Sequence, residues 1–183
     1  MNDKPLTKQE VQMKKMFIII ATLVTIVNVN ASDLQKITFD LIARNEGFRS
    51  NVYLCSAGKE TIGYGFTSKL YTSKKYMSKA EADKILMTYV DSCLRSVEQL
   101  KLNVKLTDNQ KAVMADMIYH FGSGAIHNAN DLIKAINSGN SSNVKAQLMR
   151  WVKQKKIVNG KVTYVTVSGL VNRQARLCQM WDK

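Results

Sequence analysis

The chain has 183 residues, with 27 Lys and Arg against 14 Asp and Glu for a formal net charge of +13; 45% of its residues are hydrophobic, and it holds nine Gly, three Cys and one Pro. This length suits one ordinary domain, and the mixture is too apolar for disorder and too poor in Pro and Gly for a collagen-like or linker-dominated chain. Three Cys without a CxxC pair give no zinc ribbon and too few staples for a disulfide-held miniprotein, while the positive excess favours an anionic partner: nucleic acid, membrane or cell-wall polymer.

The first element is an export segment. Lys14 and Lys15 precede Phe17 to Val27, eleven residues without charge, and Val29-Asn30-Ala31 follows. A basic start, an apolar stretch of that length and a small-x-Ala end describe a secretory signal peptide cleaved after Ala31. The uncharged stretch from Met16 to Ser32 is seventeen residues long, short of the ~20 that a spanning helix wants. An uncleaved signal-anchor, associated with the inner membrane through residues 16–32, is the alternative, and a helix buried on all sides is a third. Translation can start at Met1 or Met13. The expected domains are 1–31, signal peptide or signal-anchor, and 32–183, one folded domain.

Export to the periplasm or the medium argues against nucleic acid as a partner and for a bacterial envelope polymer. After Ala31 the chain keeps 23 basic and 12 acidic residues, a net +11. From Val144 to Lys183 nine Lys and Arg face a single acid, Asp182. Such a run is either a solvated surface or an anion-binding face.

Ser32 can cap a helix through Asn45, with Leu34, Ile37, Leu41 and Ile42 on one stripe. The period then changes. Val52 to Ser56 reads as a strand, Ala57 to Glu60 as a turn and Thr61 to Phe66 as a return strand. Gly63 and Gly65 alternate along that strand, so a bare face would admit a ligand, or would mark a bulge or a tight packing contact. Ser78-Lys-Ala-Glu81 is a capping box opening a long helix with Ala82, Ile85, Leu86, Tyr89, Val90, Cys93, Leu94 and Val97 inward. Thr107 to Gln110 repeats the device before a helix with Val113, Met114, Met117, Ile118 and Phe121 inward, ended by Gly122-Ser-Gly124. Shorter helices are expected over 131–137 and 143–152, then a basic loop or hairpin over 155–166 around Asn159-Gly160. A last helix, 170–181, shows Val171, Ala175, Cys178 and Trp181 on one side.

Glu46 sits at the end of the first helix, Cys55 on the outgoing strand and Thr61 at the start of the return strand, so all three can converge on one cleft. Glu46-Gly-Phe48, the Glu–eight–Cys–five–Thr spacing and Thr61-Ile-Gly-Tyr-Gly65 closely resemble the phage-type lysozymes, the endolysins of glycoside hydrolase family 24. Phe121-Gly-Ser-Gly-Ala125 and Gly169-Leu-Val-Asn-Arg173 agree with that resemblance, which covers most of residues 33–181.

The resemblance implies an α+β, lysozyme-like fold, mostly helical, with one small antiparallel hairpin lobe flanking a cleft. It implies a monomeric muramidase that cuts the β-1,4 bond between N-acetylmuramic acid and N-acetylglucosamine of peptidoglycan glycan strands, without metal or cofactor. Glu46 would be the general acid, its pKa raised by shielding from water. Thr61 would place the attacking water, and Tyr64, Gly63 and Gly65 would border the sugar cleft. Where the family usually has Asp, Cys55 stands; it either helps to hold water in an inverting route, attacks the sugar in a retaining one, or simply packs. Two further departures are Phe66, in place of a usual His, and His120, in place of Asn or Gln. His120 would hydrogen-bond an acetamido group or be structural, and it forms no metal pattern with His127. Some family members carry a Cys near the final helix, so a Cys93–Cys178 disulfide is expected, leaving Cys55 for the cleft. Its rivals are two buried thiols, and a Cys55 disulfide that delays activity as in signal-anchored relatives. An exported, catalytically impaired peptidoglycan-binding domain is the alternative function.

Overall fold

Two apolar centres joined by one long helix organise the described part of the chain. The structure, a computed structural model, describes residues 32–55, 58–158 and 161–183. The export segment expected over 1–31 therefore lies outside the described residues, as does the turn at Asn159-Gly160.

Helix α1 (Asp33–Glu46) is followed by β1 (Arg49–Leu54) and β2 (Glu60–Gly63), the short α2 (Lys69–Thr72), α3 (Lys79–Glu98), α4 (Asp108–Phe121), α5 (Ser123–His127), α6 (Asn130–Asn137) and α7 (Ser141–Leu148). Strands β3 (Lys153–Val158) and β4 (Lys161–Thr166) then lead into α8 (Ser168–Trp181). The expected lysozyme-like, mostly helical α+β architecture is the one observed, with two antiparallel ribbons rather than one.

Helix α3 runs twenty residues, about 30 Å of helix, and contributes to both centres. Ala82, Leu86 and Val90 enter the smaller one with Ile42, Ile62, Tyr64, Phe66 and Met77. One end further on, Cys93 and Val97 join the larger one around α4, with Leu132, Leu148, Leu177 and Trp181. Capping explains where these helices start. Thr107 and Gln110 satisfy each other's backbone N–H groups as a full capping box. At Ser78 only half of the expected box forms: Ser78 accepts from the Glu81 N–H, while the Glu81 carboxylate pairs with Lys74.

Three expectations change in detail. The return strand stops at Gly63, because Gly63 (φ +64°) and Gly65 (φ +91°) are both left-handed and fold the chain back so that Phe66 and Ile62 exchange backbone hydrogen bonds. The seventh helix ends at Leu148 rather than at residue 152, and Trp151 packs against the larger core from the segment beyond. In α8 the buried residues are Arg173, Gln174, Leu177 and Trp181, whereas Ala175 is exposed and Val171 and Cys178 are half-buried. Two polar side chains sit on the buried face.

Candidate active site

Helix α1 ends at Glu46, where Gly47 closes the last turn onto the Ala43 carbonyl at 3.0 Å. That end projects the Glu46 side chain, 16% exposed, between α4 and α8. Arg173 Nη1 donates to Glu46 Oε1 at 2.6 Å, and His120 Nδ1 lies 3.2 Å from the same oxygen and 2.8 Å from Arg173 Nη1. A guanidinium keeps its protons, so a neutral Nδ1 accepts from Arg173; carrying a proton, it donates to Glu46 instead. The other oxygen, Oε2, faces Gly65, 3.4 Å from where a Cβ would stand.

Arg173 is itself fixed from behind. Its Nε and Nη2 donate to the two oxygens of Asp116, each at 2.9 Å, and Asp116 is fully buried. Asn45 donates to Asp116 at 3.0 Å and accepts from Arg176 Nε at 2.9 Å. One polar chain thus ties α1, α4 and α8 together beneath the carboxyl. Bidentate geometry leaves the guanidinium little freedom.

This network reverses an expectation. Burial is the largest single influence on Glu46 and raises its pKa, but the His120 hydrogen bond and the charge and hydrogen bond of Arg173 together outweigh it. The Glu46 pKa is lowered, not raised, and the carboxyl is ionised in the unliganded protein at neutral pH. Burial pushes Asp116 above the ordinary range, against the pull of Arg173 and Asn45.

Across the hairpin the structure brings Cys55 and Thr61 together. The Cys55 N–H donates to the Lys59 carbonyl at 3.0 Å, and the Thr61 hydroxyl, 2% exposed, donates to the same carbonyl at 2.9 Å. Thr61 keeps its lone pairs as acceptors. Tyr53 pairs with Thr61 across the strands. Burial raises the Tyr53 pKa, Arg49 lowers it, and negative charge at Glu46 and Cys55 raises it further. The phenol is therefore within electrostatic range of both the carboxyl and the thiol.

Other expected site residues are placed differently. Tyr64 is 2% exposed and belongs to the smaller core, its hydroxyl donating to Asp83 at 2.7 Å and its carbonyl accepting from Tyr119 at 2.7 Å. The bare side of Gly63 is filled by the Phe66 ring, which a Cβ would meet at 2.7 Å. Of that trio only Gly65 faces the carboxyl. Phe66, in the place of the family's His, stacks on Tyr89 with centroids 5.7 Å apart. His120, expected either at an acetamido group or in a structural role, is a partner of Glu46 and lines the same cavity. The expected Cys93–Cys178 disulfide is not formed: all three cysteines are thiols, Cys93 buried and Cys178 donating to the Lys145 carbonyl at 3.7 Å.

Sequence reasoning missed Asp116, Asn45 and the role of Arg173. The signal was present: Asp116 interrupts the fully buried run from Ala112 to Met117, and a carboxylate in such a place needs a partner. The carboxyl opens on a cavity of about 520 Å³ lined also by His120, Phe121, Lys153, Lys155 and Arg173. Among the described residues no group of His, Cys, Asp and Glu is placed to hold a metal ion.

Residues 43–176 match the family model of phage lysozyme. The chain belongs to the phage lysozyme family. An endolysin of Acyrthosiphon pisum secondary endosymbiont phage 1 is 32% identical over 134 residues, 73% of this chain and 87% of that relative. Among solved structures, the endolysin from Escherichia coli O157:H7 phage FAHEc1 is 26% identical with a TM-score of 0.69, covering 81% of this chain and 92% of its own. The muramidase domain of SpmX from Asticaccaulis excentricus, 21% identical over 80% of this chain and 95% of that one, shares the fold at a TM-score of 0.67. The protein is a lysozyme, a glycosidase, and in this lysozyme the second carboxylate on Arg173, Asp116, is sealed away from any sugar.

Proposed function

We propose that this lysozyme acts as an endolysin of glycoside hydrolase family 24, cutting the β-1,4 bond between N-acetylmuramic acid and N-acetylglucosamine in bacterial peptidoglycan, with Glu46 as the general acid. The observation that carries the reading is the Glu46 carboxyl itself: nearly buried, held through one oxygen by Arg173, and open to a cavity.

An ionised carboxylate has no proton to give, so the acid is made in the complex. A bound glycan removes the remaining water from Glu46 and adds to the push of burial, while Oε1 stays on Arg173 and Oε2 takes the proton. That proton passes to the glycosidic oxygen as the bond to the anomeric carbon breaks. On the opposite face of the ring a water held by Thr61 and Cys55, donating a hydrogen bond to the Thr61 hydroxyl, adds to the anomeric carbon and loses one proton to bulk water. The product has inverted configuration. Attack by the Cys55 sulfur itself would give a thioglycosyl intermediate and retained configuration.

Glu46→Gln tests the acid. Clearing of exposed bacterial walls should fall about a thousandfold; clearing at the wild-type rate would remove Glu46 as the acid, and a wild type that clears no walls leaves only the peptidoglycan-binding reading. The anomer formed first separates water attack from sulfur attack, and Cys55→Ala at full rate removes both roles for the thiol.

Export through residues 1–31 would bring the cationic domain, 32–183, to the wall, as a cleaved product or tethered to the inner membrane. Amino-terminal sequencing of the exported protein, with Ser32 first if cleavage follows Ala31, distinguishes the two forms.

A further inference from the structure

Outside the acid and the hairpin opposite it, the most unusual element is the ribbon β3–β4. Its strands pair in unbroken register from Lys153 with Thr166 to Val158 with Lys161, and it belongs to no larger sheet. Tyr164 and Val162 on β4 are exposed at 66% and 52%, so those side chains add little to a core. An isolated two-stranded ribbon is marginal in water. Its chemistry is one-sided: residues 153–166 carry Lys153, Lys155, Lys156 and Lys161 and no acid, and the chain holds no Asp or Glu from Leu132 to Trp181. Four lysines elsewhere, Lys74, Lys75, Lys79 and Lys145, are matched by carboxylates. Among the described residues none of the four ribbon lysines forms an ion pair.

Two of these lysines reach the active site. Lys153 and Lys155 are two residues apart, hence on one face of β3, and both line the cavity that holds Glu46. Lys153 and Phe121 also line a second cavity of about 640 Å³ next to it, which runs past Trp151. Glu46 does not need their charge, because Arg173 and His120 already hold it. Both lysines thus line the cavity of the acid, Lys153 where it meets the second cavity, and a glycan backbone offers their ammonium groups no anion. The substituent that does is the peptide stem on each muramic acid, with its free carboxylates.

We infer that β3–β4 is a specificity element that binds the carboxylates of the peptide stem through Lys153 and Lys155 while the glycan lies at Glu46. The inference rests on the muramidase reading and adds to it which part of the polymer the enzyme reads. Teichoic acid phosphates would offer similar chemistry, so the substrate for the test is sacculi that contain none.

The experiment compares such sacculi in native form with the same sacculi whose stem carboxylates have been converted to amides by carbodiimide and ammonia. For each protein the quantity is the ratio of kcat/KM on native to amidated walls. Lys153→Gln/Lys155→Gln should lower that ratio roughly fivefold, the scale of two exposed charge pairs. Lys153→Arg/Lys155→Arg should keep it, and raised salt should shrink it for the wild type. Thermal melting of both variants should follow the wild type. A ratio that the Gln variant leaves unchanged overturns the inference, with the muramidase reading intact. A wild type that cuts neither substrate overturns the muramidase reading instead.

Discussion

The molecule carries two β-ribbons beside one carboxyl, and they are built in opposite ways. In β1–β2 the pairing slips between Arg49 and Tyr53, and the segment around Tyr76 enters the gap, with Val52 donating to the Lys75 carbonyl and Met77 to the Ser50 carbonyl. Thr61 and Ile62 are buried there, and two left-handed glycines turn the chain at the end. In β3–β4 six pairs follow without a break and the described side chains lie mostly in solvent. The difference suits the two jobs proposed above. Groups that take part in bond breaking must be held within fractions of an ångström, and the irregular ribbon achieves this by being packed into a core. A charge that meets a flexible peptide needs reach rather than precision, and a regular, exposed, lysine-bearing ribbon supplies it while its lysines discourage edge-to-edge pairing.

The comparison breaks if the first ribbon tolerates change. Gly63→Ala should be the most damaging small substitution in either ribbon, because a left-handed backbone and a Cβ at 2.7 Å from the Phe66 ring act together. The expected loss is about 3 kcal/mol by urea unfolding. A loss under ~0.5 kcal/mol, the level of an ordinary surface change, would mean that the ribbon is not held as described.

A smaller effect reads the other side of the acid. The folded-state pKa of Glu46 is lowered, so its ionised form contributes stability that is complete above its ordinary unfolded value and lost as pH falls through the lowered one. Glu46→Gln does not titrate. The stability of the wild type relative to this variant should therefore decline in that acidic window and be flat above it. A difference that grows on acidification would mean that burial, not Arg173, dominates at this carboxyl.

How legible all this was depends on the range of the contacts. The end of α1 at Glu46, the capped starts of α3 and α4 and the placing of Cys55 and Thr61 at the end of one hairpin follow from local spacing, and local spacing is in the sequence. The buried face of α8 was not legible, because Arg173 is buried only through Asp116, 57 residues away. The same side chain reaches Glu46 across 127 residues and, together with His120 from 74 residues away, lowers a pKa that shielding alone would have raised. Gly63 and Gly65 read as strand because alternation is visible and a positive φ is not.

The smallest expected effect belongs to the second ribbon and is the sharpest check on its independence. Val162→Thr/Tyr164→Thr replaces two exposed apolar side chains with a residue of good strand propensity. Area that remains in water contributes nothing to burial, and the loss is confined to two cross-strand positions, Tyr164 opposite Lys155 and Val162 opposite Ile157. Each such cross-strand pair is worth about 0.2–1 kcal/mol, part of which Thr retains, so the double variant should unfold within ~1 kcal/mol of the wild type while Gly63→Ala does not. A loss of several kcal/mol would make the ribbon part of a core, and its lysines would then be the solvated side of a structural element rather than the reason for it.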